Sequence, residues 1–162
     1  MELKNLDFDI NEMQDSDLID VTSIERESYD FPWNESIFRD CLLSGYKCFA
    51  LKKQGIVIGY AILSIVMDEA HVLNICIGKK YQNLGFGDKL LDYLVGESQQ
   101  AGVKKIFLEV RPSNKKAIAL YRKKGFEQIA KRSSYYRHSN GREDAEVYAL
   151  NMGKIGYIDI QY

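Results

Sequence analysis

The sequence has little of what metal-binding, nucleic-acid-binding and membrane proteins rely on. Two histidines and three cysteines, Cys41, Cys48 and Cys76, are all the imidazole and thiolate ligands it offers a metal. No two cysteines form a CxxC pair, which argues against a zinc site, and no metal is expected. An odd number of thiols points to free cysteines in a reducing compartment. The opening MELKNLDFDINEM alternates like a strand and has no targeting pattern, so a cytoplasmic protein is expected. Net charge is −1 and the isoelectric point about 6.1, too little positive charge for direct nucleic-acid binding. No apolar run approaches the ~20 residues of a membrane span, so no membrane partner is expected. Repeats, low-complexity tracts and linkers are missing too. The 162 residues read as one domain with a real core, 1–152, followed by a tail, 153–162, that the pattern does not place. A monomer is expected.

What is present is a clear succession of elements. Leu3 to Ile10 reads as a first strand, and Asp15 as the cap of a helix running to about Tyr29. Phe31-Pro32-Trp33 breaks that helix, because the residue before a proline is pushed out of the α region. Asn34 caps a second helix, Glu35 to Leu43. Strands follow over Tyr46–Leu51, Ile56–Met67 and Ala70–Ile77, joined by turns at Lys53-Gln54-Gly55 and Asp68-Glu69. Phe86 to Gln100 is an amphipathic helix closed by Gly102. Lys105–Arg111 is an apolar strand, and Asn114 caps a helix to Lys124 that Gly125 ends. Phe126–Tyr136 and Glu143–Met152 form a closing hairpin around Ser139-Asn140-Gly141. The order is β-α-α-β-β-β-α-β-α-β-β. It predicts a mixed α/β (α+β) sheet of about seven mostly antiparallel strands with about four helices. One right-handed crossover over residues 70–111 should supply the parallel pair.

The stretch Asn74 to Leu91 joins a strand, a glycine-bearing loop and a helix N-terminus, a general device for holding phosphate. A P-loop is ruled out, since Asp88 follows Gly87 where the motif needs lysine. A dinucleotide fingerprint is weak, because Leu90 occupies the third glycine position. A plain structural βα turn fits the glycines equally well. A further pattern uses more of the chain: Gln82-x-x-Gly85-x-Gly87 after Leu73-x-Ile75-x-Ile77, with Ala117-x-x-Leu120-Tyr121-x-x-x-Gly125-Phe126 downstream. In both motifs the sequence resembles the GCN5-related N-acetyltransferase (GNAT) superfamily. Phe31-Pro32-Trp33, Leu108-Glu109-Val110-Arg111-x-Ser113-Asn114 and Tyr135-Tyr136 followed by Gly141-Arg142-Glu143-Asp144-Ala145 resemble its RimI type, the ribosomal-protein-alanine N-acetyltransferases.

That resemblance implies a single-domain GNAT fold and acetyl-CoA as acetyl donor, used by direct transfer in a ternary complex. The implied acceptor is a protein N-terminal α-amine, most specifically the N-terminal alanine of a basic small-subunit ribosomal protein. Acetyl transfer needs a neutral amine, a polarised thioester carbonyl and a proton for the leaving thiolate. Glu109, a carboxylate in an apolar strand, is the candidate base; burial should raise its pKa, and the structural alternative is an ion pair with Arg111. Tyr121, on the inward face of its helix with Ala117 and Leu120, is the candidate acid; a core tyrosine is the plainer reading. The edge Ile75-Cys76-Ile77 should offer backbone groups to the pantetheine arm and the acetyl. Gln82 and the loop Asn83, Leu84, Gly85, Phe86, Gly87 and Asp88 should hold the pyrophosphate, and Asn114 should touch the arm as well as cap its helix. Lys79, Lys80 and Lys115 are possible phosphate contacts or plain surface. An acyl-cysteine route through Cys76 with His71 fails on geometry, since residues five apart on a strand face opposite ways. The acceptor is expected to enter between Phe31 and Trp33 on one side and Tyr135 and Tyr136 on the other. Two alternatives stay open: a small-molecule amine or protein lysine as acceptor, and a non-catalytic acyl-CoA-binding module.

Overall fold

A computed structural model of the chain describes residues 7–154. Seven strands and four α-helices are found among them, in the order the periodicity predicts: β1 Asp9–Glu12, α1 Leu18–Ser28, α2 Glu35–Leu43, β2 Lys47–Lys53, β3 Ile56–Val66, β4 Glu69–Ile77, α3 Phe86–Gln100, β5 Lys105–Val110, α4 Lys115–Lys123, β6 Glu127–His138 and β7 Gly141–Asn151. The sheet order is β1-β2-β3-β4-β5-β7-β6. The parallel pair is β4 with β5, from Glu69↔Lys105 to Val72↔Leu108. β1–β2, β2–β3, β5–β7 and β6–β7 are antiparallel.

The described chain falls into two compact units, one within Met1–Leu63 and Asn74–Tyr93, the other within Ser64–Leu73 and Leu94–Tyr162. In the first unit, Leu18 and Val21 of α1, Phe38 of α2, Leu51, Ile58 and Ile62 are fully buried. The Phe38 ring meets Tyr60 edge-on, with centroids 5.4 Å apart. The β2–β3 turn is set by Gln54 (φ 51°) and Gly55 (φ 78°), the two positive φ angles a tight hairpin needs. Gly59 is the one place in β3 where a side chain cannot fit: a Cβ would lie 2.7 Å from Ile77 Cδ1 and 2.9 Å from the Cys76 carbonyl oxygen. In the second unit, Ile106, Leu108 and Val110 of β5 are buried with Tyr121, Phe126, Tyr148 and Leu150. The alternation of β5 turns Phe107 and Glu109 to its other face.

Asn34 and Asn114 cap α2 and α4 as expected, accepting from the Ile37 N–H at 3.1 Å and the Ala117 N–H at 3.3 Å. Four expectations are corrected. β1 runs Asp9–Glu12, and Leu3 to Leu6 of the expected first strand lie outside the described residues. Asp15 does not cap α1: a 3-10 turn, Asp15–Asp17, precedes it, and Asp17 accepts the Gln14 N–H at 2.8 Å. Asp15 instead faces Arg39 at 3.4 Å. β5 stops at Val110, one residue before the expected Arg111. β7 begins at Gly141, because the turn is only Ser139-Asn140 and pairing starts at His138↔Gly141. Residues 155–162 of the tail also lie outside the described part.

Candidate active site

In the first unit the glycine loop is fastened at its base. The Gly78 N–H donates to the Ile58 carbonyl at 2.8 Å, a 3-10 turn covers Lys79–Tyr81, and Gln82 Nε2 donates to the Ile77 carbonyl at 2.9 Å. Asn83 (φ 62°) and Gly85 (φ 91°) then reverse the chain into α3. Open space surrounds the Gly85 Cα, so its backbone angle, not crowding, calls for glycine. Asn83, Leu84 and Gly85 are exposed. Phe86 anchors the turn, 1% exposed and edge-on to Phe8 and Tyr81. Gly87 and Asp88 lie in the first turn of α3, where backbone N–H groups lack helical partners. On β4 the Ile75 carbonyl accepts the Tyr29 hydroxyl at 3.3 Å. The carbonyls of Ile75 and Ile77 thus take side-chain donors, and the pairing of β4 with β5 has already ended at Val72. Cys76 is buried, and burial pushes its thiol pKa up.

The same unit holds a carboxylate that sequence reasoning missed. Glu25 is 3% exposed. Its Oε1 accepts the Trp33 N–H at 3.1 Å, and its Oε2 accepts the Tyr60 hydroxyl and, at 3.0 Å, Asn74 Nδ2. Burial drives the Tyr60 hydroxyl far above its ordinary range. Trp33 is half-buried, its ring 5.3 Å from Phe38, whereas Phe31 is 45% exposed. Of the two residues expected to meet an acceptor on this segment, Trp33 is therefore also a packing anchor. A signal for Glu25 existed: it continues the buried stripe Leu18, Val21, Thr22 at helical spacing, where an acid needs a reason.

In the second unit Glu109 does not pair with Arg111. Its side chain is 8% exposed, with Oε2 hydrogen-bonded to His71 Nε2 and Oε1 3.6 Å from Arg132 Nη2. The expected rise of its pKa is overturned. Burial pushes it up, but the hydrogen bond and charge of His71, then Arg132, outweigh that and hold it below the ordinary carboxylate range. Arg111 pairs instead with Glu143 at 3.2 Å, and Glu143 also accepts the Ser113 N–H at 3.1 Å. The Arg111 guanidinium covers the Tyr136 ring at 4.4 Å. Burial first, then the Glu109 charge, raise the Tyr136 pKa. Tyr135 is 42% exposed and edge-on to Tyr136 at 4.9 Å. The two rings meet because β6 carries an irregularity between Arg132 and Tyr136, where Ser134 has φ 51° and its N–H donates to Asp144 at 2.8 Å. Tyr121 is 6% exposed, its ring tilted on Phe126. Asn114 caps α4 and is otherwise exposed. His71 and Arg132, absent from the expected site, line a cavity with Glu109, Glu69, Phe107 and Val147.

The Acetyltransferase (GNAT) family profile matches residues 18–126. The [ribosomal protein bS18]-alanine N-acetyltransferase of Escherichia coli K12 is 39% identical over 141 residues, 87% of this chain and 95% of that protein. The crystal structure of the ribosomal-protein-S18-alanine N-acetyltransferase from Escherichia coli superposes with a TM-score of 0.84 at 38% identity, covering 89% of this chain and 93% of that one. A Salmonella typhimurium protein solved with its cofactor acetyl-CoA shares the fold at 18% identity, with a TM-score of 0.77 over 90% of this chain and 94% of that one.

Proposed function

Since the chain belongs to the acetyltransferase (GNAT) family, we propose that it moves the acetyl group of acetyl-CoA to the N-terminal α-amine of a protein, the N-terminal alanine of a bS18-type ribosomal protein above all. The observation that carries this reading is near full-length similarity to proteins of that named activity. A relative of the same fold holding acetyl-CoA supports the donor.

In this reading the loop Gln82–Asp88 and the first turn of α3 take the pyrophosphate on backbone N–H groups, with Lys79, Lys80 and Lys115 as neutralising charges. The Ile75–Ile77 stretch supplies backbone N–H groups, one of which polarises the thioester carbonyl. Asn114 contacts the pantetheine arm. The neutral amine attacks the carbonyl carbon, and the C–N bond forms as the amine gives up a proton to the site of Glu109. The C–S bond then breaks, and the thiolate takes the Tyr121 hydroxyl proton. A free α-amine titrates near pH ~8, against about 10.4 for a lysine side chain, so a modest base suffices and α-amines are favoured over side chains. Phe31, Trp33, Tyr135 and Tyr136 contact the acceptor chain.

The test is intact-mass analysis of bS18 incubated with the protein and acetyl-CoA, beside a panel of Ala-initiated peptides, internal-lysine peptides and polyamines. One acetyl on the N-terminal alanine is expected. Turnover on polyamines or lysines alone would overturn the acceptor. Acetyl-CoA binding with no turnover on anything would leave a binding module.

A further inference from the structure

The carboxylate assigned as base has both oxygens engaged. His71 Nε2 is hydrogen-bonded to Glu109 Oε2, while Arg132 stands 3.6 Å from Oε1. A carboxylate held by two potential cations is a poor proton acceptor. The imidazole beside it is better suited. His71 is 36% exposed against 8% for Glu109, and it lines a cavity of about 340 Å³. The cavity lining brings Ser64 and Val66 from β3, Glu69 from its own strand, Glu109 and Phe107 from β5, Arg132 from β6 and Val147 from β7. A neutral imidazole has one N–H and one lone pair. A carboxylate at Nε2 fixes the N–H there and leaves the lone pair on Nδ1. Imidazole is also the side chain whose ordinary titration lies nearest neutrality.

We propose that His71 receives the proton of the attacking amine, with Glu109 fixing its tautomer and balancing the charge it acquires. This rests on the acyl-transfer reading above and replaces a lone carboxylate base by a histidine–carboxylate pair. The amine nitrogen's lone pair forms the C–N bond. Its proton passes to Nδ1, directly or through one water, giving an imidazolium beside the Glu109 carboxylate. The C–S bond breaks with its electrons on sulfur, which is protonated separately by Tyr121. The imidazolium then returns its proton to solvent. Arg132 opposes the positive charge on the ring, and Glu109 and Glu69 favour it.

The chain has only two histidines, His71 and His138, so imidazole 15N NMR resolves them with one variant. In its neutral form the His71 ring should carry its proton on Nε2, and Glu109→Gln should let the other tautomer appear. An Nδ1–H tautomer, or an imidazolium across the whole active pH range, would overturn the proposal without any acceptor being known. Kinetics on the best acceptor of the panel gives the second test. His71→Gln keeps an amide donor toward Glu109 but cannot accept a proton. It should lower kcat by about 100-fold or more, abolish the acidic limb of the kcat/KM profile and leave acetyl-CoA affinity unchanged, which also reports folding. Free imidazole should restore activity to His71→Ala. Activity of His71→Gln within threefold of wild type, or a lower rate with the acidic limb unmoved, would refute proton transfer to His71. Absence of N-terminal acetylation by the wild type would refute the acceptor assignment instead.

Discussion

Glu25 and Glu109 are both buried carboxylates, and the protein holds them in opposite ways. Glu25, at 3% exposure, is surrounded by neutral donors: a backbone N–H, a tyrosine hydroxyl and a carboxamide. Glu109, its side chain at 8%, faces a histidine and an arginine. Neutral donors stabilise the ionised form at fixed positions and have no proton to exchange near neutrality. Glu25 therefore acts as a fastener, tying the α1–α2 connection at Trp33 to β3 at Tyr60 and β4 at Asn74. The histidine beside Glu109 is, in the proposal above, the group that takes the amine's proton. Burial alone does not separate a structural acid from a chemical one; the chemistry of its partners does.

The comparison breaks most sharply at activity. Glu109→Gln should lower kcat by about 100-fold or more, since it removes the counter-charge and tautomer control from the histidine that takes the proton, while the unfolding midpoint in urea changes little. Steady-state kinetics and denaturant titration on the same preparation check both halves. Glu25→Ala should do the reverse. It strands the Tyr60 hydroxyl, the Asn74 amide and the Trp33 N–H, and should cost about 3 kcal/mol of stability in urea unfolding. Glu25→Gln, which keeps one acceptor oxygen, should cost less, and its kcat should stay within a few-fold of wild type. If Glu25→Gln removed activity while stability held, the fastener reading would fail.

Smaller effects sharpen the contrast. Tyr121→Phe should lower kcat about tenfold with acetyl-CoA affinity unchanged, as loss of a proton donor at the leaving sulfur requires. Gly59→Ala should cost about 1–3 kcal/mol, since the new Cβ meets the Cys76 backbone oxygen at 2.9 Å and backbone yields little. The smallest effect concerns acid. The Glu109 pKa is lowered in the folded state, so the unfolded chain binds its proton more tightly. The stabilisation is present above the ordinary carboxylate range and lost as pH falls through it. Thermal unfolding between pH 6 and about pH 3 should fall less steeply in Glu109→Gln than in wild type.

Local features are readable in the chain. Helix α3 spans Phe86–Gln100 as the periodicity requires, the Asn34 and Asn114 caps lie where expected, and the parallel pair follows from the crossover. The helix and the caps depend on residues within a turn or two of one another, and the parallel pair on the handedness rule for a strand–helix–strand unit. The Glu25 cluster is not readable, because its partners come from residues 8, 35 and 49 positions away, in the α1–α2 connection, β3 and β4. Along the strand, His71 has only Glu69 and Cys76 as nearby groups with chemistry to offer. Its true partner is 38 residues away, set by the register Ala70↔Ile106 that periodicity leaves undetermined. The direction of the Glu109 pKa escapes the sequence for the same reason. An apolar strand predicts desolvation, but the partners that outweigh it, His71 and Arg132, arrive from β4 and β6.

The three cysteines have a practical meaning for measuring this chemistry. Cys41, Cys48 and Cys76 are free and buried, and burial raises each thiol, that of Cys48 to about 12. At neutral pH the Cys48 thiolate fraction is then on the order of one part in 10⁵, and a thiol that neither ionises nor meets solvent is almost invisible to a colorimetric disulfide reagent. Released coenzyme A should therefore be read against a nearly silent protein background. A slow extra rise in colour would mark molecules opening up rather than turning over.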